Sequence, residues 1–135
     1  MSIKITGIKK AVRALGKIAP TISDKLEDAT DEAAINIERM AKRNVRVDTG
    51  RLRASIHPVF TNSNDTSFSY SDKSGKVFDG STNEKTKSNE ALVVTNVDYA
   101  PDIESLDPFL YPAREAERPQ YIKRIKKILK GGAKR

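Results

Sequence analysis

Residues 21–45, TISDKLEDATDEAAINIERMAKRNV, place apolar side chains at Ile22, Leu26, Ala29, Ala33, Ile37, Met40 and Ala41. The i, i+4, i+7 recurrence predicts one long α-helix with a single buried face. Alanines dominate that stripe, so whatever covers it must approach closely, as a flat sheet or a second helix does. Acids crowd the first half (Asp24, Glu27, Asp28, Asp31, Glu32) and bases the end (Lys42, Arg43, Arg46). That order complements the helix dipole. Any fold for this chain has to be arranged around this element.

The rest of the chain is read against it. A length of 135 residues predicts a single domain, 1–135. IKIT (3–6) suits a short edge strand, and Ile8, Val12, Leu15 and Ala19 are spaced for a short helix that Pro20 ends. SIHPVF (55–60) is β-like, but Pro58 confines it to an edge or a bulge. ALVVTNV (91–97) is a β-branched run suited to a central strand. Between them lie some thirty mostly polar residues. There Phe68 and Tyr70 alternate like a strand face, and Val77-Phe78 can pair with them as a weak hairpin. Residues 79–90 read as an exposed, flexible loop. In YIKRIKKILKGG, Tyr121, Ile122, Ile125, Ile128 and Leu129 form a narrow seam on a basic helix, with Gly131-Gly132 as its stop. The core is expected over about 5–118 and the basic helix and tail over about 119–135.

With 37% hydrophobic and 32% charged residues, the composition is that of a soluble, folded chain. No apolar run approaches the roughly 18 residues of a membrane span. MSIKITGIKK lacks the apolar core of a secretion signal. The absence of cysteine removes disulfides and thiolate metal sites and suits a reducing cytoplasm. The net charge of +7 belongs to one end. From Lys123 onward come Lys123, Arg124, Lys126, Lys127, Lys130, Lys134 and Arg135 with no acid, and the remaining residues balance. Such an end can contact nucleic acid, meet an acidic partner, or simply be a solvated helix face.

Catalytic chemistry has little support. Asp48-Thr49-Gly50 is the triplet of retroviral-type aspartic proteases, but such an enzyme needs two aspartates sharing one proton. Here arginines flank Asp48 on both sides, which favours ionised carboxylates. A structural role accounts for more residues: Asp48 as N-cap of a short turn, Val47 and Leu52 as a hydrophobic staple, and Gly50 for a close backbone approach. His57 is the only histidine, so a triad or a histidine-rich metal site has little to draw on. It reads as a strand residue, partly buried or on the surface. No glycine-rich phosphate loop exists, and Asp98, Asp102, Glu104 and Asp107 lack the spacing of a calcium loop, so they read as a solvated turn. No catalytic, cofactor or metal residue is assigned.

Three stretches, taken in order, resemble a known family. The first is Val47, Asp48, Thr49, Gly50, Leu52, Ser55 and Ile56, the second Tyr99, Ala100 and Glu104, and the third Pro108, Phe109, Leu110, Pro112 and Ala113. Over residues 5 to 118 they make the chain similar to the head–tail joining, or tail-completion, proteins of long-tailed bacteriophages. The resemblance implies an α+β fold: a long N-terminal helix packed on a small antiparallel β-sheet, with a long polar hairpin or loop and a C-terminal helix. It implies no enzyme and no cofactor. It further implies a hexameric ring in the virion, between the tail tube and the head connector, made in the bacterial host cytoplasm.

The partners so implied are other neck and tail proteins: the tail terminator and the head connector or stopper. Relatives continue their Glu with a Gly-Thr pair and a variable loop. Here Ser105-Leu106-Asp107 leads directly to Pro108, and the long 61–90 stretch is the expected place for a compensating contact. The basic tail, through Lys123, Arg124, Lys126, Lys127 and Lys130, is placed to touch packaged DNA. The alternative reading is a small nucleic-acid-binding module built on that same helix, although no aromatic stacking set accompanies it.

Overall fold

The computed structural model describes residues 2–6, 20–45, 50–63, 68–80, 85–87 and 90–133. In chain order the elements are β1 (Ser2–Thr6), α1 (Pro20–Asn44), α2 (Arg51–Ser55), β2 (His57–Val59), β3 (Ser69–Ser71), β4 (Val77–Asp79), β5 (Glu90–Val94), α3 (Ala100–Leu106) and α4 (Leu110–Ala133). The fold is α+β, as the sequence implies. The helix expected over 8–19 lies outside the described residues.

Strand β5 is central, with β1 and β2 antiparallel on either side; Ile3 stands opposite Val93, and Pro58 opposite the same residue on the other edge. Pro58 is tolerated because an edge strand can leave one side of its backbone without a donor. Ala91 and Val93 join Ile3, Ile5 and Ile56 in the main core, while Leu92, Val94 and Val59 form a second, smaller cluster. That division follows the two-residue period of a strand. Strands β3 and β4 make a separate hairpin with Tyr70 opposite Phe78, as their alternation suggested.

Helix α1 buries Leu26, Ala29, Ala33, Ala34, Ile37 and Ala41. The small residues let α4 lie alongside it and bury Leu110, Ala113, Tyr121 and Ile125 in the same core. Enlarging one of those alanines would force the helices apart, typically at about 1–3 kcal/mol. Two polar contacts fix the pairing. Thr30 Oγ1 donates to the Leu26 carbonyl at 2.9 Å, so the Tyr121 hydroxyl, 2.8 Å away, donates to Thr30. Burial pushes the Tyr121 hydroxyl pKa above its ordinary value, with Thr30 and Arg124 opposing the shift. The Glu117 carboxylate, 3% exposed, accepts from Asn36 Nδ2 at 3.1 Å and from the Arg124 guanidinium. Removing one partner of such a pair leaves an uncompensated buried charge, at a cost of roughly 3–5 kcal/mol.

Several expectations need correction. Helix α1 starts at Pro20, so its first turn holds no acid and the dipole argument fails at that end. The acids there tie down a loop instead: Asp31 accepts from the Thr61 amide at 2.9 Å and hydroxyl at 3.2 Å, and Glu27 accepts from Asn62. The basic helix does not begin near residue 119 or stop at Gly131-Gly132. It runs unbroken from Leu110 to Ala133 through Pro119. Pro119 is exposed, and packing of the flanking turns on α1 keeps the helix continuous despite the lost backbone donor. The stretch over 79–90 is not wholly exposed. Thr86 is buried, donating to the Phe60 carbonyl at 2.5 Å and accepting from the Ser63 amide at 2.9 Å.

His57 is half-buried and stacks on Phe68 with ring centroids 4.0 Å apart. Burial, aided by Lys42 and opposed by Glu38, lowers its pKa from the ordinary 6.5. The neutral ring is therefore favoured in the fold. Its contribution is full above the unfolded-state value and is lost as pH falls through the lowered folded-state value. Lowering the pH from 7 toward 5 should reduce the urea unfolding midpoint, and His57→Gln should flatten that dependence. An equally steep pH dependence in the variant would exclude His57 as its source.

Candidate functional site

The residues singled out in the sequence converge on three joints. At the first, Gly50 takes φ 83°, a conformation that side chains other than glycine's rarely adopt, and a Cβ there would sit 3.0 Å from Lys73 Cγ. A positive φ cannot lie inside a right-handed turn, so α2 begins at Arg51 with Gly50 in the N-cap position. The cap expected at Asp48 and the staple expected from Val47 lie outside the described residues, as does Thr49. Leu52 and Ile56 are buried in the main core. Ser55 donates to the Leu52 carbonyl at 2.6 Å and meets Thr95 Oγ1 at 2.6 Å, which joins α2 to the end of β5. Local pattern carries no sign of that contact, because Thr95 is forty residues away in the chain.

The second joint is the bend between α3 and α4. Glu104 Oε2 accepts from the amides of Phe109 and Leu110 at 2.7 and 3.0 Å, and Oε1 from Tyr111 at 2.8 Å. One carboxylate thus satisfies three amides at the start of α4, where helical donors lack internal partners and the dipole favours a negative charge. Where the spacing of Asp98, Asp102, Glu104 and Asp107 suggests a solvated turn, the chain forms helix α3; Asp102 is exposed, but Glu104 is turned to this task. Phe109, Leu110, Ala113 and Ala100 are fully buried, and Pro108 and Pro112 are exposed around the bend. The conformation of a glutamate within the last turn of α3 is invisible in spacing alone.

The third joint seats the β3–β4 hairpin. Tyr70 donates to Asn96 Oδ1 at 3.1 Å, and Asn96 Nδ2 donates to the Asp79 carbonyl at 2.7 Å. The Arg51 guanidinium lies 4.3 Å from the Phe78 ring centre and 5.9 Å from that of Tyr99. Gly80 passes so close to Phe68 that a Cβ would lie 2.2 Å from the ring.

None of the joints brings together a nucleophile and a base. No group of three His, Cys, Asp or Glu side chains among the described residues could hold a metal ion, and no helix there is long and apolar enough to cross a membrane. What the three joints do is hold helices, sheet and hairpin at fixed angles. A family model described as "Bacteriophage HK97-gp10, putative tail-component" matches residues 9–104. The chain belongs to this family.

It is a phage structural protein of the tail, consistent with the resemblance carried by the motifs. The match takes in the Gly50 corner, Tyr99, Ala100 and Glu104. It stops before Pro108–Ala113 and before α4, so the groups that Glu104 caps lie just past its end. No curated protein and no solved structure matches the chain.

In α4, Lys123, Lys126, Lys127 and Lys130 are exposed on one side. Arg124, counted with them in the sequence, faces inward to Glu117, with Nε 3.7 Å from Glu32.

Glu104→Ala should leave those three amides without their acceptor and lower unfolding stability by about 0.5–2 kcal/mol, with Glu104→Gln recovering part of it. Chemical denaturation of the three proteins measures this; equal midpoints would remove the cap from the account.

Proposed function

We propose that copies of this chain form a ring, hexameric as in the family it resembles, that completes the tail end and joins it to the head connector. The observation that carries the reading is membership in a phage tail-component family by a chain whose motif residues hold structural joints. A rigid subunit with fixed angles between its elements suits assembly, where many copies must meet in one geometry. Exposed Leu106, Tyr111 and Val77 are apolar surface for neighbours to cover. On this reading the chain acts by binding, with the tail terminator and the head connector or stopper as partners, and it resides at the head–tail junction of the virion. Electron microscopy and native mass spectrometry of the protein, alone and with tail tubes, test it. The expected result is rings, free or seated on tube ends; protein that stays monomeric and never binds tube ends or connectors would defeat the proposal.

A second reading has its own observation. Lys123, Lys126, Lys127 and Lys130 share the exposed side of α4 with no acid following Glu117. In a ring whose lumen carries DNA, this side would meet phosphates. Four phosphate contacts predict that the logarithm of DNA affinity falls with that of salt concentration at a slope of about −3 to −4. Fluorescence anisotropy with duplex DNA measures the slope, and Lys126→Ala should reduce it by about one. Affinity insensitive to salt would argue against phosphate contact.

A further inference from the structure

Two surface features have complementary character. One is a projection. At the bend between α3 and α4, Leu106 is 82% exposed, and Tyr111 on the first turn of α4 is 56% exposed. Asp102, exposed, stands one helical turn before Leu106, hence on the same face of α3. The apolar knob is therefore edged with acid, and the grip of Glu104 on three amides fixes its orientation.

The other is a recess. A cavity of about 200 Å³ opens between β1, α1 and α4. Ile5, Ala33 and Ile37 supply its apolar lining, and Lys4, Arg114 and Arg118 its cations. Glu117 also borders it, but its carboxylate is engaged by Asn36 and Arg124. Arg118 is exposed, with no acidic partner among the described residues. Lys4 meets Glu90 only at 3.7 Å while 60% exposed, and Arg114 meets Glu115 at 3.5 Å near the surface. Exposed pairs of this kind are weak and exchangeable. The cavity is comparable in size to those that take up a benzene-sized apolar group.

We infer that the acid-edged Leu106 knob of one copy docks in the cationic, apolar-lined groove of the next. Leu106 enters beside Ile5 and Ile37, and Asp102 faces Lys4, Arg114 and Arg118. About 12 Å of helix separates Leu110 from Arg118, so the Leu106 knob and the Arg118 side of the groove lie apart on one molecule, with Arg114, 5.2 Å from the Tyr111 ring centre, between them. Contact between unlike patches is heterologous, and repeated with the right rotation it closes a ring. This inference rests on the ring reading above and specifies which surfaces meet.

The chain has no cysteine, so single cysteines at the two exposed positions give an unambiguous readout. Leu106→Cys copies are mixed with Arg118→Cys copies and oxidised, both in concentrated solution and on tail tubes. The mixed disulfide should exceed the cross-linking of either variant alone by at least tenfold. A chain carrying both cysteines should give a ladder that ends in a closed ring, and Arg118→Glu should raise the dissociation constant of the assembly at least tenfold. If rings form or seat on tubes without the mixed cross-link, this contact is overturned and the ring reading stands. Predominant Leu106→Cys homodimers also overturn it, in favour of a two-fold contact. Protein that stays monomeric in solution and on tubes, with no cross-link, overturns both.

Discussion

The structure depends on one constraint: α1 must bury a stripe of small residues between the central strand and α4. Ala33, Ala34 and Ala41 have no exposed surface, which leaves little room between the helices and the sheet. Close approach brings dispersion and hydrophobic gains across the whole length of the contact. It also brings polar groups into the interior, where each must find a partner. Thr30 with Tyr121, and Glu117 with Asn36 and Arg124, are the pairs that result. The two contacts that cross between the helices set the position of α4 along α1, since a shift by one turn would part Tyr121 from Thr30 and Glu117 from Asn36.

From that pairing the joints follow. Once α4 is docked, its first amides need an acceptor, and Glu104 provides it while turning the chain through the α3–α4 bend. Ser55 and Thr95 lock α2 to the end of β5, and Gly50 lets the chain enter α2 close to the hairpin. Asn96 and Arg51 then seat the hairpin. These contacts are hydrogen bonds and aromatic stacking over a packed core, not an arrangement of reacting groups. Such contacts make a stiff domain, which suits the structural role of a phage tail component.

The charge distribution serves the same end. Arg124 is drawn inward, whereas the four lysines of the outer stripe of α4 stay in solvent. One segment thus supplies both an internal ion pair and an external cationic surface, and the two roles differ only in which side of the helix a residue occupies.

Much of this fold was legible in sequence. The period of α1, the central β5 run, the edge placement of Pro58 and the Tyr70–Phe78 hairpin all follow from local patterns, because side-chain direction in helices and strands is set by backbone period. The motif around Gly50 was visible too, though not the exact start of α2, which depends on the sign of one φ angle. The continuity of α4 through Pro119 was not legible. Local propensity argues for a break there, and only packing against α1 overrides it. Nor were the partners of Glu104, Ser55, Glu117 and Thr86, since the sequence states that a residue can bond but not which group the chain will bring to it. Sequence alone determined the long helix α1, the central strand, the hairpin, the family resemblance and the basic end. Tertiary structure decided which charges are buried, which joints are locked and which surfaces remain open to neighbours, because those depend on distances between residues far apart in the chain.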